Sequence, residues 1–408
     1  MQVRSWARAR TRLRHAATSV LPKRVQVTWV RLRRRNSLLL ASRGRGIPVC
    51  DNVKQWSSKV QGPECMVVTP AWQATRKPPH TIETEIDSEY LTRLGTSTRE
   101  GYVVPIQGAL LVGRGGVVML PDGLVASESI YNRPVLAAEP DYFTVKRRPR
   151  VAKPGNYYSL LVHYARRGVY YHWVHDTLER LYGVVEVLPP DTRYVVPAGL
   201  LPYQLETLRA VGVEDDQVVP FDGEEVWELE TLHFAPPIVS SGANHPPADA
   251  WLREKFFDAY GISPGLGSRR IFLSRRNMRR RQVTNEDEVV EFLTPFGFEI
   301  CVPEALPMKE QVALFADAEV VVSTHGSAFT NLLFSPPGCR VVDMIEPAMM
   351  HLSYVFWSMT EQLRQEYWYF VAESVPKAGS PNDTYVPIDK LAATFERMEL
   401  EPRRRVAP

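Results

Sequence analysis

The hydrophobic pattern changes character along the chain. From residue 269 onward, short β-branched apolar runs alternate with segments of helical period. Segments 270–274, 298–302, 319–324, 340–345 and 366–370 read as strands buried on both faces. Between them, 284–295, 307–318 and 352–363 read as helices, the first opened by a capping box from Thr284 to Asp287. This alternation predicts an α/β region with a parallel, doubly wound sheet. Upstream, 101–111, 116–120 and 124–127 read as short strands, and Pro121-Asp122-Gly123 marks a hairpin turn. Residues 47–150 are therefore expected to form a β-rich N-terminal subdomain, followed by a linker at the basic cluster 146–150. A strand at 160–164 and an amphipathic helix at 170–188 come next. Trp173, Leu178, Leu181 and Val185 form the helix's apolar stripe. Strands at 193–196, 217–221 and 230–235 and a helix at 203–211 complete a region 151–247. A helix at 248–260 crosses to the last region, 248–375, and 376–408 is left as a tail.

One stretch, 319–347, concentrates the chemistry. An apolar strand stops at His325-Gly326-Ser327, a short helix runs through Asn331 to Phe334, and Pro336-Pro337-Gly338 ends it. In a parallel sheet such a turn lies at the carboxyl end of a strand, where open α/β sheets bind ligands. An imidazole, a glycine, a hydroxyl and free amides at a helix start suit an anion, phosphate foremost.

Composition alters this picture in two places. The 408 residues carry a formal net charge of +3, yet residues 1–50 hold thirteen Lys or Arg and no acid. The remainder has 36 basic and 46 acidic residues, a net of −10. The body is acidic and 1–46 is a basic arm. The arm suits attraction to an anionic membrane surface or a solvated tail. With an acidic body and no recognition motif, nucleic acid is not expected as a partner. No apolar run reaches the length of a membrane span. Cys50, Cys65, Cys301 and Cys339 are widely spaced and form no CxxC pair, so neither a zinc site nor a disulfide framework is expected, and a reducing cytoplasmic setting is. Asp215-Asp216 and Asp317-x-Glu319 are not placed after strands, so no metal is expected either.

Three motifs stand in order: YYHWVHDTLER from Tyr170, IFLSRR from Ile271 with RQVTNE from Arg281, and HGSAFTNLLF from His325. Gly297-Phe298, Pro303-Glu304 and Gln311 lie between the last two. This set resembles glycosyltransferase family 61, in its bacterial branch, over about residues 101–370. The resemblance implies a GT-B-like fold, two Rossmann-like lobes facing a cleft, with 151–247 on the acceptor side and 248–375 on the donor side. It also implies inverting transfer from a nucleotide-sugar, a UDP-sugar foremost, to a glycan or lipid-linked acceptor, with no cofactor or metal. The usual core motif reads H-G-A-G-L-T-N. Here Ser327, Ala328 and Phe329 replace its alanine, second glycine and leucine, which removes some freedom for close backbone approach.

A metal-free enzyme must neutralise a leaving diphosphate with arginines and amide dipoles. Arg275 and then Arg281 are the candidates, with His325, Gly326 and Ser327 around the phosphates and Asn331 in the same motif. Glu304 is placed at the ribose. Asn285 and Glu286 are divided between helix capping and ligand contact. Asp176 is the candidate general base, with His172 one turn away and able to hydrogen-bond it. The bland alternative is that this pair pins its helix to a neighbouring loop. His175 falls on another face and is given no role. Two rival classes are a non-catalytic nucleotide- or sugar-binding protein and a hydrolase with Ser327 as nucleophile. Bulky His325 and Phe329 flank the serine where a nucleophile elbow needs small residues.

Overall fold

The computed structural model describes residues 49–60, 64–130, 148–162, 165, 168–238, 242, 244–378 and 382–403. The basic arm 1–46 lies outside them. The protein is a mixed α/β structure built on two large sheets.

The parallel sheet is the one the alternating pattern predicts. Its strands are β1 (Arg269–Leu273), β2 (Phe298–Cys301), β3 (Ala318–Thr324), β4 (Arg340–Ile345) and β5 (Glu366–Val371). They lie in the order β2-β1-β3-β4-β5, all parallel. Side chains alternate between two buried faces. Ile271, Leu273, Val321 and Val341 enter one hydrophobic cluster, and Phe272, Val320, Val322 and Val342 enter another. Burial on both sides is why these strands read as unbroken apolar runs. The chain passes from β1 out to β2 on one side and then crosses back over β1 to β3 on the other. The carboxyl ends of β1 and β3 therefore flank the topological switch point, where such sheets open a crevice.

The second sheet has nine strands and mixed direction. Gly101–Val112 runs antiparallel to Val226–Phe234, and the expected hairpin joins Val117–Met119 to Val125–Ala126. Beyond Val226–Phe234 come Arg150–Ser159, Arg193–Pro197 and Val218–Phe221, all parallel. The strand expected at 160–164 is not present at 160–162, and a strand instead spans Arg150–Ser159, starting at the last residue of the expected linker. Pro154 and Gly155 hid it. They sit where the register with Val226–Phe234 slips, and Gly155 has φ +97. Such an irregularity accommodates both residues within a strand.

Three further expectations are corrected. Residues 47–150 do not form a subdomain of their own. They supply strands to the nine-stranded sheet, while His80–Thr81 pairs in parallel with the outer edge of β5. The helix expected over 170–188 is only Tyr170–Val174, followed by a 3-10 turn at Leu178–Leu181. Gly183, at φ +70, breaks the periodic stretch. A Cβ at this glycine would lie 2.8 Å from the Val68 carbonyl oxygen, so the chain turns there on a residue without one. Finally, 376–408 is not merely a tail. Asp383–Tyr385 is a strand, and the helix Ile388–Arg397 buries Leu391 and Phe395 against the parallel sheet.

A continuous hydrophobic cluster joins the two sheets. It contains Tyr158 and Val196 from one, Ile271, Val321 and Val341 from the other, and Trp173, Phe256, Phe334 and Trp357 between. No helix among the described residues is long and apolar enough to cross a membrane.

Candidate functional site

The turn after β3 lies at the switch point. Gly326 is extended, and Ser327 opens a 3-10 helix that runs to Phe334. The first amides of such a helix have no intrahelical acceptor and point outward. The side chain of Arg275, which follows β1, packs directly on Gly326, and a methyl group there would overlap its Nη1. Nε and Nη2 of Arg275 donate to the carbonyls of Arg281 and Arg280, which fixes the guanidinium. Arg281 has φ +55 and donates from Nη1 to the His325 carbonyl at 2.8 Å. Neither arginine forms a salt bridge with a carboxylate among the described residues. Burial, reinforced by Arg281 and opposed by Glu304, pulls Arg275 down to about 10. Burial also lowers Arg281. A buried guanidinium and a half-buried one, beside amides at a helix start, form a place for an anion.

His325 is held from behind. Its Nδ1 is 2.8 Å from Asp343 Oδ2 on β4, and the Tyr367 hydroxyl on β5 donates to the same oxygen at 2.7 Å. All three residues are buried. Burial and then the Asp343 carboxylate push the Tyr367 phenol well above its usual range, so it stays a donor. Ser327 has no hydrogen-bonded base among the described residues, and Asp343 occupies His325 Nδ1. That arrangement gives no support to a serine nucleophile.

The segment opening at Tyr170 meets this turn. Tyr170 donates to Asn331 Oδ1 at 2.7 Å, and Asn331 Nδ2 donates to Gln311 at 2.9 Å. Phe356 lies between the rings of Tyr171 and His325, at 5.7 and 5.0 Å. His172 Nδ1 is 2.6 Å from Asp176 Oδ2. The carboxylate side chain is 4% exposed and the imidazole 23%. Asp176 therefore sits behind His172. Trp173 anchors the segment by donating to Thr207 at 2.8 Å.

Residues 170–342 match the family described as Glycosyltransferase 61. This segment, less than half of the chain, is similar to the glycosyltransferase 61 family. A stretch of 95 residues is 33% identical to the beta-1,2-xylosyltransferase XAX1 of Oryza sativa subsp. japonica. It covers 23% of this chain, and the chain spans 16% of that protein's length.

The matched segment contains all three motifs, but not every residue singled out from the sequence faces the crevice. Asn285 neither caps its helix nor is open to a ligand. It donates to the Val386 carbonyl at 2.8 Å and accepts from the Val386 amide at 2.9 Å. The Thr284–Asp287 capping box does not form either, and the Thr284 hydroxyl donates to the Thr384 carbonyl. Glu286 accepts from Ser274 Oγ at 2.7 Å, from the Arg275 amide at 3.3 Å and from Arg276. It thus shapes the turn that carries Arg275. Asn331 bridges motifs and is fully buried. Glu304 is exposed beside Arg275 and is the one acid of the set with an open side chain.

Asp343 and Tyr367 were not found from sequence. Each lies inside an apolar strand, and only an acid in such a run could have flagged Asp343. His175 was also passed over. It is buried against Glu179, with Asp249 Oδ1 at 3.5 Å, and these three form a group with metal-ligating donors.

Proposed function

We propose that the protein transfers a sugar from a nucleotide-sugar, a UDP-sugar foremost, to a hydroxyl of a glycan or lipid-linked acceptor, inverting the anomeric centre. The observation that carries this reading is the pair Arg275 and Arg281. Arg275 is buried and Arg281 half-buried, neither forms a salt bridge with a carboxylate among the described residues, and both hold the His325-Gly326-Ser327 turn at the switch point. A diphosphate seated there meets two guanidinium groups and the amides of a helix start. As the glycosidic bond breaks, its growing charge is stabilised without a metal at the phosphates. In the GT-B reading the parallel sheet carries the donor and the Tyr170 segment faces the acceptor. His172, oriented by buried Asp176, takes the proton of the attacking hydroxyl. The xylosyl transfer named for the rice relative makes a pentose a candidate alongside hexoses.

Calorimetric titration with UDP in EDTA tests the donor site. Binding without a divalent cation is expected, and an absolute requirement for added Mg²⁺ or Mn²⁺ overturns it. Donor hydrolysis across a nucleotide-sugar panel then separates an enzyme from a binding protein.

A further inference from the structure

Next to Tyr171, whose ring lies 4.8 Å from that of His175, lies a second polar cluster. His175 and Glu179 are one turn apart, and Asp249 comes from the first turn of the helix Pro246–Tyr260. Their side chains are 2%, 1% and 0% exposed. One donor atom from each lies within 4.8 Å of the others. His175 Nδ1 is the common point. Glu179 Oε1 hydrogen-bonds it, Asp249 Oδ1 stands at 3.5 Å, and the Asn244 amide nitrogen is 3.4 Å away.

The cluster is poorly satisfied by its own members. Neither oxygen of Asp249 completes a hydrogen bond, nor do Glu179 Oε2, Asn244 Oδ1 and His175 Nε2. A fully buried carboxylate in that state is costly unless something else binds it. The two acids also repel.

We propose that His175, Glu179 and Asp249 bind a divalent transition-metal ion of the zinc class, at a site separate from the donor phosphates. One imidazole and two carboxylates are a donor set that zinc and manganese take. A neutral imidazole, two carboxylates and a dication sum to zero charge, so the buried site is neutral when loaded. A turn of the Asn244 amide exchanges its nitrogen for a fourth oxygen donor. The ion joins the segment carrying His172 and Asp176 to the helix Pro246–Tyr260, where no continuous helix does so. This assignment does not depend on the donor reading, because its ligands and its test are different.

The full chain, made without an affinity tag and purified without chelator, is analysed for metal by plasma mass spectrometry. About one ion per chain is expected to survive gel filtration. Glu179→Gln and Asp249→Asn, which keep side-chain size, are expected to lose most of it, and His172→Ala to keep it. Wild-type protein stripped with dipicolinate should regain thermal stability with Zn²⁺ or Mn²⁺, and Co²⁺ should give visible d–d bands. The Co²⁺ spectrum needs no variant and decides the matter if the substitutions unfold the protein. Substoichiometric metal in wild type with no Co²⁺ bands overturns the proposal and leaves a proton-sharing cluster. Unchanged metal content in folded Glu179→Gln and Asp249→Asn also overturns it.

Discussion

Asp176 and Gly326 act at opposite ends of the proposed reaction, and substitution separates them. Asp176 is nearly buried behind His172 at 2.6 Å. Asp176→Asn keeps the shape but removes the charge that holds the imidazole as a base. Turnover is expected to fall about 10²- to 10⁴-fold, with UDP affinity unchanged by calorimetry. Near-normal turnover in a folded variant would mean that the Asp176 carboxylate does not hold His172 as the base. Gly326 is extended, at φ −178, so alanine is not strained there. Its methyl group must instead displace Arg275. Gly326→Ala is expected to weaken UDP binding by roughly one to two decades, the value of a charge-assisted hydrogen bond, with the circular dichroism spectrum unchanged. Normal UDP binding by this variant places the phosphates elsewhere.

At the scale of elements, legibility followed burial. Strands β1 to β5 could be read because both faces are apolar, and their order put Arg275 and His325 at neighbouring strand ends, as the sequence suggested. Asn285 and Glu286 could not be resolved, because a side chain that bonds a distant backbone looks the same in sequence as one that bonds a ligand. The stretch after Tyr170 misled because its apolar spacing suits a helix, whereas the close approach of Val68 to Gly183 is a tertiary fact. The helix Ile388–Arg397 was legible, since Ile388, Leu391 and Phe395 recur at helical spacing, yet the reading of 376–408 as a tail passed over it. Its contribution is measurable. Phe395 packs among Phe292, Phe296 and Phe298, with centroids 5.0–5.7 Å apart. Phe395→Ala is expected to lower stability by about 3–5 kcal/mol in urea unfolding. A loss below about 1 kcal/mol would show that the helix is an appendage.

Across the whole molecule, the three motifs come from distant parts of the chain and meet at one place. Tyr170 bonds Asn331 across 161 residues, and Arg281 bonds His325 across 44. The far edge of the parallel sheet spans a greater separation. Thr81 donates to the Tyr369 carbonyl, 288 residues later, and His80 stacks on Trp368 at 4.6 Å. On a ribosome adding about 5–20 residues per second, the early strand waits roughly 15–60 s for its partner. Until then β5 does not exist, and residues 80 and 81 have no sheet to join. The parallel sheet thus closes only after residues 366–371 have been made. Any nascent chain stopped short of residue 366 leaves β4 as a bare edge, open to pairing with another molecule.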